Sequence, residues 1–232
     1  MRIKRYVVDA TTVALCALAG LLGFLALRRH HPVSGGHPRS ALAVVDQPRV
    51  AAEQFARIAA TGQRDGPADA PVTVVEFADY YCGYCATFEA RLVRLRARYP
   101  QHVAVVVKHF MPVLVRAEFD AHLAAECAGD QGRFVAFDRA MYADSQKGVD
   151  RDAWQQVGRA VGIPDERRFE SCVRLRRYAD RVSADTRDGT ALGVTCTPTT
   201  YINGIPVVGV VSFEVLDSIV AHELDRGRRG PR

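Results

Sequence analysis

Two cysteines, Cys82 and Cys85, close the stretch FADYYCGYC at residues 77–85 in a chain that holds six cysteines. A Cys-x-x-Cys pair can form half of a four-ligand zinc site, or it can cycle between dithiol and disulfide. Zinc needs a second pair, and Cys127, Cys172 and Cys196 stand singly. Thiol-disulfide exchange is therefore the reading, with no metal expected. Exchange needs one thiolate open to attack and a second thiol to displace the mixed disulfide. A helix beginning at Cys82 supplies both. Its unpaired N–H groups and dipole favour the Cys82 anion, and Cys85, one turn inside, resolves.

The flanking pattern predicts such a helix. VTVVEFAD, 72–79, is a β-rich apolar run suited to a strand buried on both faces. Residues 86–99 place Phe88, Leu92, Leu95 and Tyr99 on one helical face and stop at Pro100. HVAVVVKHF, 102–110, is a second buried strand, so β, α and β follow one another and favour parallel pairing. From about residue 114 to 190 the pattern is helical, with four segments expected. Phe134, Phe137 and Met141 share one face, and Trp154, Val157 and Val161 another. TPTTYING and IPVVG then return to β character across the turn pair Asn203-Gly204. A last helix is expected over about 212–226, followed by a disordered tail, 227–232.

Ahead of this body, Arg2, Lys4 and Arg5 precede an apolar run from Ala10 to Leu27, after which Arg28, Arg29, His30 and His31 return to water. The run approaches the roughly 18 residues of a spanning helix, and residues 1–27 read as a cytoplasmic n-region and uncleaved signal anchor with the N-terminus inside. A cleaved signal peptide is the alternative, with Ala41-Leu42-Ala43 as its one candidate cleavage site. Residues 28–47 carry Pro, Gly, Ser and His without periodicity and read as a flexible linker. Residues 48–65 hold a first helix with Val50, Phe55, Ile58 and Ala59 inward, ended by Gly62. A hydrophobic fraction of 48% with 25% charged residues is that of a globular protein, and a net charge of +5 scattered among acidic residues gives no nucleic-acid stripe.

A strand, an aromatic run ending in Cys82-Gly83-Tyr84-Cys85, a helical stretch, then Thr197-Pro198 and a hairpin resemble the DsbA-type thiol-disulfide oxidoreductases of the thioredoxin superfamily. The resemblance covers roughly 66–226. It implies an α/β thioredoxin fold interrupted by a helical domain at about 114–190, with Pro198 in cis facing the cysteine pair. It also implies that Gly83, Tyr84, Thr197 and Pro198 contact the substrate chain. An acidic residue stands at Glu76 beneath the resolving cysteine and a lysine near Lys108; by resemblance both tune the thiols and relay a proton, the alternative being a strand-end salt bridge. Cys127 and Cys172 would form a structural disulfide in the insertion, leaving Cys196 unpaired near the active pair. Pairing of Cys196 with Cys127 or Cys172 stays open.

The expected protein is a membrane-tethered oxidoreductase whose catalytic domain faces the periplasm, or one secreted there after cleavage. Its partners would be exported cysteine-containing proteins and a quinone-linked membrane oxidase; no organic cofactor is needed. Gly83-Tyr84 and Thr197 also resemble the isomerase and copper-sensitivity-suppressor branches, so a disulfide isomerase or reductase fed by a membrane electron donor is the alternative. A copper(I)-binding thiol module is a further one, weakened by a content of three methionines. A tethered peptide-binding chaperone would use the same groove.

Overall fold

The computed structural model describes residues 44–111, 116–145 and 153–229. Helix α1 (Ala52–Ala59) leads into a short strand β1 (Gln63–Asp65) and then into β2 (Val72–Ala78). Every β2 residue but Thr73 is buried, as a β-branched run flanked on both sides requires. Helix α2 (Gly83–Arg98) crosses over to β3 (Val103–His109), which runs parallel to β2 in a register from Val72 opposite Val103 to Ala78 opposite His109. Strands β4 (Thr199–Ile202) and β5 (Ile205–Val208) complete a sheet of order β1-β3-β2-β4-β5. Asn203 and Gly204 both take positive φ, 46° and 86°, the pattern that lets a two-residue hairpin follow the strand twist.

Strand alternation gives the sheet two apolar faces. Val74, Ala78, Val105 and Val107 share a cluster with Phe88, Leu92 and Leu95 of α2 and with Leu216, Ile219 and Val220 of the last helix, α8 (Phe213–Arg229). Val75, Phe77 and Val106 cluster with Ile58 of α1, Phe110, Val194 and Tyr201. Burying each of Phe88, Leu92 and Leu95 contributes roughly 1.5–3 kcal/mol.

Between β3 and β4 lie α3 (Arg116–Gly129), α4 (Phe134–Ser145), α5 (Ala153–Ala160), α6 (Glu166–Arg174) and α7 (Ala179–Ala191). Phe169 of α6 joins α4 and α5, with ring centroids 5.9 Å from Phe137 and 5.8 Å from Trp154. A disulfide between Cys127 and Cys172 ties α3 to α6.

Several expectations need correction. The described residues hold five insertion helices rather than four, because the break between α6 and α7 has no Gly or Pro to mark it; Arg176 makes it with φ 51°. The expected linker ends before 47, since Val44 is buried in the core. The stretch assigned to the first helix ends in β1, antiparallel to β3. Its three polar residues carry no strand pattern. Glycines at its two ends permit it: a Cβ on Gly62 would lie 2.8 Å from the Val107 carbonyl oxygen, and one on Gly66 2.7 Å from that of Val103. Helix α2 starts three residues earlier than its apolar spacing implies, and α8 continues to Arg229, into the expected tail. The apolar segment 10–27 and most of the linker lie outside the described residues, among which no helix is long and apolar enough to cross a membrane.

Candidate active site

Cys82 is the N-cap of α2, with φ −90° and ψ 110°. Its own N–H donates to the Asp79 carbonyl at 3.1 Å, and its carbonyl accepts from Ala86 N–H at 3.2 Å. The half-buried Cys82 Sγ sits 3.3 Å from the Thr197 carbonyl oxygen, and the Thr197-Pro198 peptide bond is cis. Its thiol is lowered to about 5. The main cause is a hydrogen bond from the Cys85 thiol, which acts against partial burial; the Thr197 side chain and the N–H groups of Cys85 and Tyr84 add to it. Cys85, fully buried one turn on, is pushed far up by that same hydrogen bond, by burial and by the charge of Glu76. The two sulfurs thus differ as an attacking and a resolving thiol must. Tyr84 between them is 72% exposed, and a Cβ on Gly83 would meet nothing within 4 Å, so the approach to Cys82 is open.

Glu76 stands opposite Val107 on one side and Thr200 on the other, on the sheet face that α2 covers. It is 1% exposed, and neither carboxylate oxygen has a hydrogen-bond partner among the described residues. Burial first, then the charges of Asp138 and Cys82, push it up to about 8, so it holds a proton at neutral pH. A buried acid that keeps its proton beside a buried thiol can hand that proton over.

Lys108 does not join this group. It pairs in register with Phe77, one residue along from Glu76, and strand alternation sends it to the opposite face. There Nζ donates to Asp185 Oδ1, Asp188 Oδ2 and Thr61 Oγ1, each at 2.7 Å. These contacts are those of the salt-bridge alternative, and none of them is to Cys82, Cys85 or Glu76.

The sequence reading passed over a buried polar chain behind the cysteine loop. Glu126 Oε1 lies 3.1 Å from His109 Nε2, His109 Nδ1 lies 2.8 Å from His122 Nδ1, and His122 Nε2 lies 3.2 Å from Asp79 Oδ1. Asp79 in turn accepts from the N–H of Tyr81 at 3.0 Å. Tyr80 stacks on His122 with centroids 4.9 Å apart and donates its hydroxyl to Asp138 at 2.8 Å. The signal was present in His122 and Glu126, four residues apart and so on one helical face within the otherwise apolar AHLAAEC. His109, Glu126 and Asp185 each bring one possible metal-ligand atom within 4.8 Å of the others. Arg181 and Gln63 already pair with Glu126, and Lys108 with Asp185.

Cys196 is free and exposed immediately before Thr197, and its carbonyl accepts from the Thr199 hydroxyl at 2.7 Å.

Comparison with known proteins places this geometry. The thioredoxin family profile matches residues 59–222. A sodium/proton antiporter, NhaA 1 of Mycolicibacterium gilvum, is 33% identical over 147 residues, which are 60% of this chain and 23% of that protein. The chain thus spans less than a third of the curated relatives it matches. A thioredoxin-like oxidoreductase from Silicibacter pomeroyi superposes with a TM-score of 0.61 at 25% identity, over 73% of this chain and 93% of that one. The thiol-disulfide exchange protein alpha-DsbA2 from Wolbachia pipientis gives 0.62 at 22%, over 73% and 92%. The chain belongs to the thioredoxin family, and its fold is that of the DsbA-like thiol-disulfide oxidoreductases.

Proposed function

We propose that the protein is an extracytoplasmic thiol-disulfide oxidoreductase, tethered through residues 10–27, that passes the Cys82-Cys85 disulfide to cysteines of exported proteins. The observation that carries this is the contrast between the two sulfurs: Cys82, half-exposed and lowered to about 5, and Cys85, buried and raised. A stabilised Cys82 thiolate favours the reduced protein over its disulfide, which makes the disulfide form an oxidant. It is also a good leaving group. A substrate thiolate attacks Cys82 Sγ, the Cys82–Cys85 bond breaks, and Cys85 departs with the electron pair. A second substrate thiolate then attacks the substrate sulfur of the mixed disulfide and releases Cys82. The Thr197-Pro198 loop facing Cys82 would hold the substrate backbone in extended form, with Gly83 and Tyr84 at the rim. A quinone-linked membrane oxidase is the chemical class of partner that would restore the disulfide.

The deciding experiment equilibrates the Cys196→Ser protein with glutathione buffers and reads the fraction of reduced Cys82. A reduction potential near the about −120 mV of strong superfamily oxidants supports disulfide donation. One near the roughly −270 mV of thioredoxin overturns it in favour of a reductase or isomerase kept reduced by a membrane donor. Gly83-Tyr84 and Thr197 keep that second reading in view. Loss of exchange in Cys82→Ser separates both from a peptide-binding module.

A further inference from the structure

Residues 79–81 form the turn that delivers Cys82 from the end of β2 to the start of α2. Asp79 closes that turn twice. Its carbonyl oxygen accepts from the Cys82 N–H at 3.1 Å, and its carboxylate Oδ1 accepts from the Tyr81 N–H at 3.0 Å. An aspartate at the first position of a four-residue turn makes both bonds without strain. A further hydrogen bond from the Asp79 backbone reaches the Cys85 thiol. The turn thus fixes Cys82 as the N-cap of α2, and that position decides how the N–H groups of Tyr84 and Cys85 meet its sulfur.

The other partner of Asp79 comes from the helical insertion. His122 of α3 donates from Nε2 to the same Oδ1 at 3.2 Å. Behind it, His122 Nδ1 meets His109 Nδ1 at 2.8 Å, and His109 Nε2 meets Glu126 Oε1 at 3.1 Å. Glu126 is anchored in turn: its Oε2 accepts from Gln63 of β1 at 2.7 Å and pairs with Arg181 of α7 at 3.1 Å. Both imidazoles are 1% exposed, so water does not replace a lost partner. The next turn residue is held by the insertion as well. Tyr80 stacks on His122 with centroids 4.9 Å apart, and its hydroxyl donates to Asp138 of α4 at 2.8 Å.

We propose that Asp79 is the positioning residue of the cysteine pair, and that the insertion sets the oxidising strength of that pair through the Glu126–His109–His122 chain that holds Asp79. The proposal rests on the exchange chemistry argued above. A stabilised Cys82 thiolate favours the reduced protein and makes the disulfide an oxidant. Releasing Asp79 loosens the turn, takes the Tyr84 and Cys85 N–H groups off the sulfur, and leaves a weaker oxidant. Charge acting alone has the opposite sign, because removing a carboxylate from the neighbourhood of Cys82 stabilises its thiolate. Position and charge are therefore separable.

The test is Asp79→Ala in the Cys196→Ser protein, equilibrated with glutathione and titrated by thiolate absorbance. We expect the equilibrium constant for reduction of the disulfide to fall about tenfold or more, a potential lower by about 30 mV. The Cys82 titration should move upward with it. His122→Phe keeps a ring against Tyr80 but offers Asp79 no donor, and it should do the same. His122→Gln, whose amide N–H reaches where Nε2 stands, should return both readings to those of the unsubstituted residue.

A Cys82 titration that stays in place or moves down in Asp79→Ala overturns the proposal, since Asp79 then acts by its charge or not at all. Equal shifts in His122→Phe and His122→Gln overturn it too, because the charge of the histidine pair and not its bond to Asp79 would be responsible. If His122→Phe does not fold, His122→Asn takes its place: its shorter amide reaches His109 but not Asp79, and readings equal to those of His122→Gln overturn the chain. If the unsubstituted pair forms no disulfide in oxidised glutathione, the exchange reading fails and this one with it. A measurable potential in that protein with unmoved variants overturns this inference alone.

Discussion

His109 and His122 meet Nδ1 to Nδ1 at 2.8 Å in the protein interior, so one proton lies between two imidazoles. Their outer nitrogens each face a carboxylate, Glu126 and Asp79, and both are therefore N–H donors. Three protons on four nitrogens give the pair a single positive charge. Against the cost of burial, Glu126 raises His109, which carries that charge, whereas burial and His109 lower His122 despite Asp79.

This arrangement predicts how stability depends on pH. His122 is depressed, so its contribution is complete above the ordinary value of 6.5 and is lost as pH falls through its lower folded value. His109 is raised, so its contribution is complete below 6.5 and is lost as pH rises through its folded value. His122→Asn should flatten the acid limb of the urea-midpoint profile below about pH 6.5 and leave the alkaline limb in place. An acid limb of unchanged slope would show that the pair does not hold one shared proton.

Lys108 gives a prediction about stability alone. Lys108→Met leaves Asp185, 2% exposed at its side chain, without its cation, and breaking a buried pair in this way costs about 3–5 kcal/mol. Asp185→Asn added to it should restore part of the loss. The Cys82 titration, read by thiolate absorbance, should not move, because the sheet stands between them. A shift of one unit or more in Cys82 would return Lys108 to the active site.

The Cys127–Cys172 disulfide closes a loop of 45 residues. By the chain-entropy relation such a loop stabilises the folded state by about 4 kcal/mol. Replacing both cysteines by alanine should lower the urea midpoint accordingly, and reductant should then have no further effect on unfolding. A double variant as stable as the parent would mean that the insertion is held by its aromatic core alone.

What the sequence made legible follows the physics of each signal. The parallel strands and α2 were readable because Val74, Val105, Phe88 and Leu92 repeat at strand and helix periods. Cys82 and Cys85 were readable because their spacing leaves few chemistries open. Two acids remained hidden. Glu89 and Asp138 occupy helices whose other residues explain the local pattern, and only the docking of α4 on α2 brings them into the same cavity. Lys108 was misplaced for a different reason. Its apolar neighbours mark it as buried, but the side of the sheet it occupies depends on register, and a shift of one residue reverses the face. β1 escaped because three polar residues become a strand only when β3 lies alongside.

Glu76 joins stability to exchange, and the two should separate on substitution. Its folded value, about 8, lies above the ordinary 4.5, so the unfolded chain ionises at pH values where the folded protein cannot. The contribution of Glu76 to stability is thus complete below 4.5 and is lost as pH rises through about 8. Glu76→Leu removes that penalty along with two unpaired oxygens. The variant should match or slightly exceed the parent at pH 4.5, and its advantage should grow with pH to a few kcal/mol near pH 8. In return Cys85 loses its proton donor, and reduction of the disulfide should slow on the order of 100-fold. A gain in stability independent of pH would mean that Glu76 is ionised in the folded protein. A pH-dependent gain with no loss of rate would mean that Cys85 draws its proton from elsewhere.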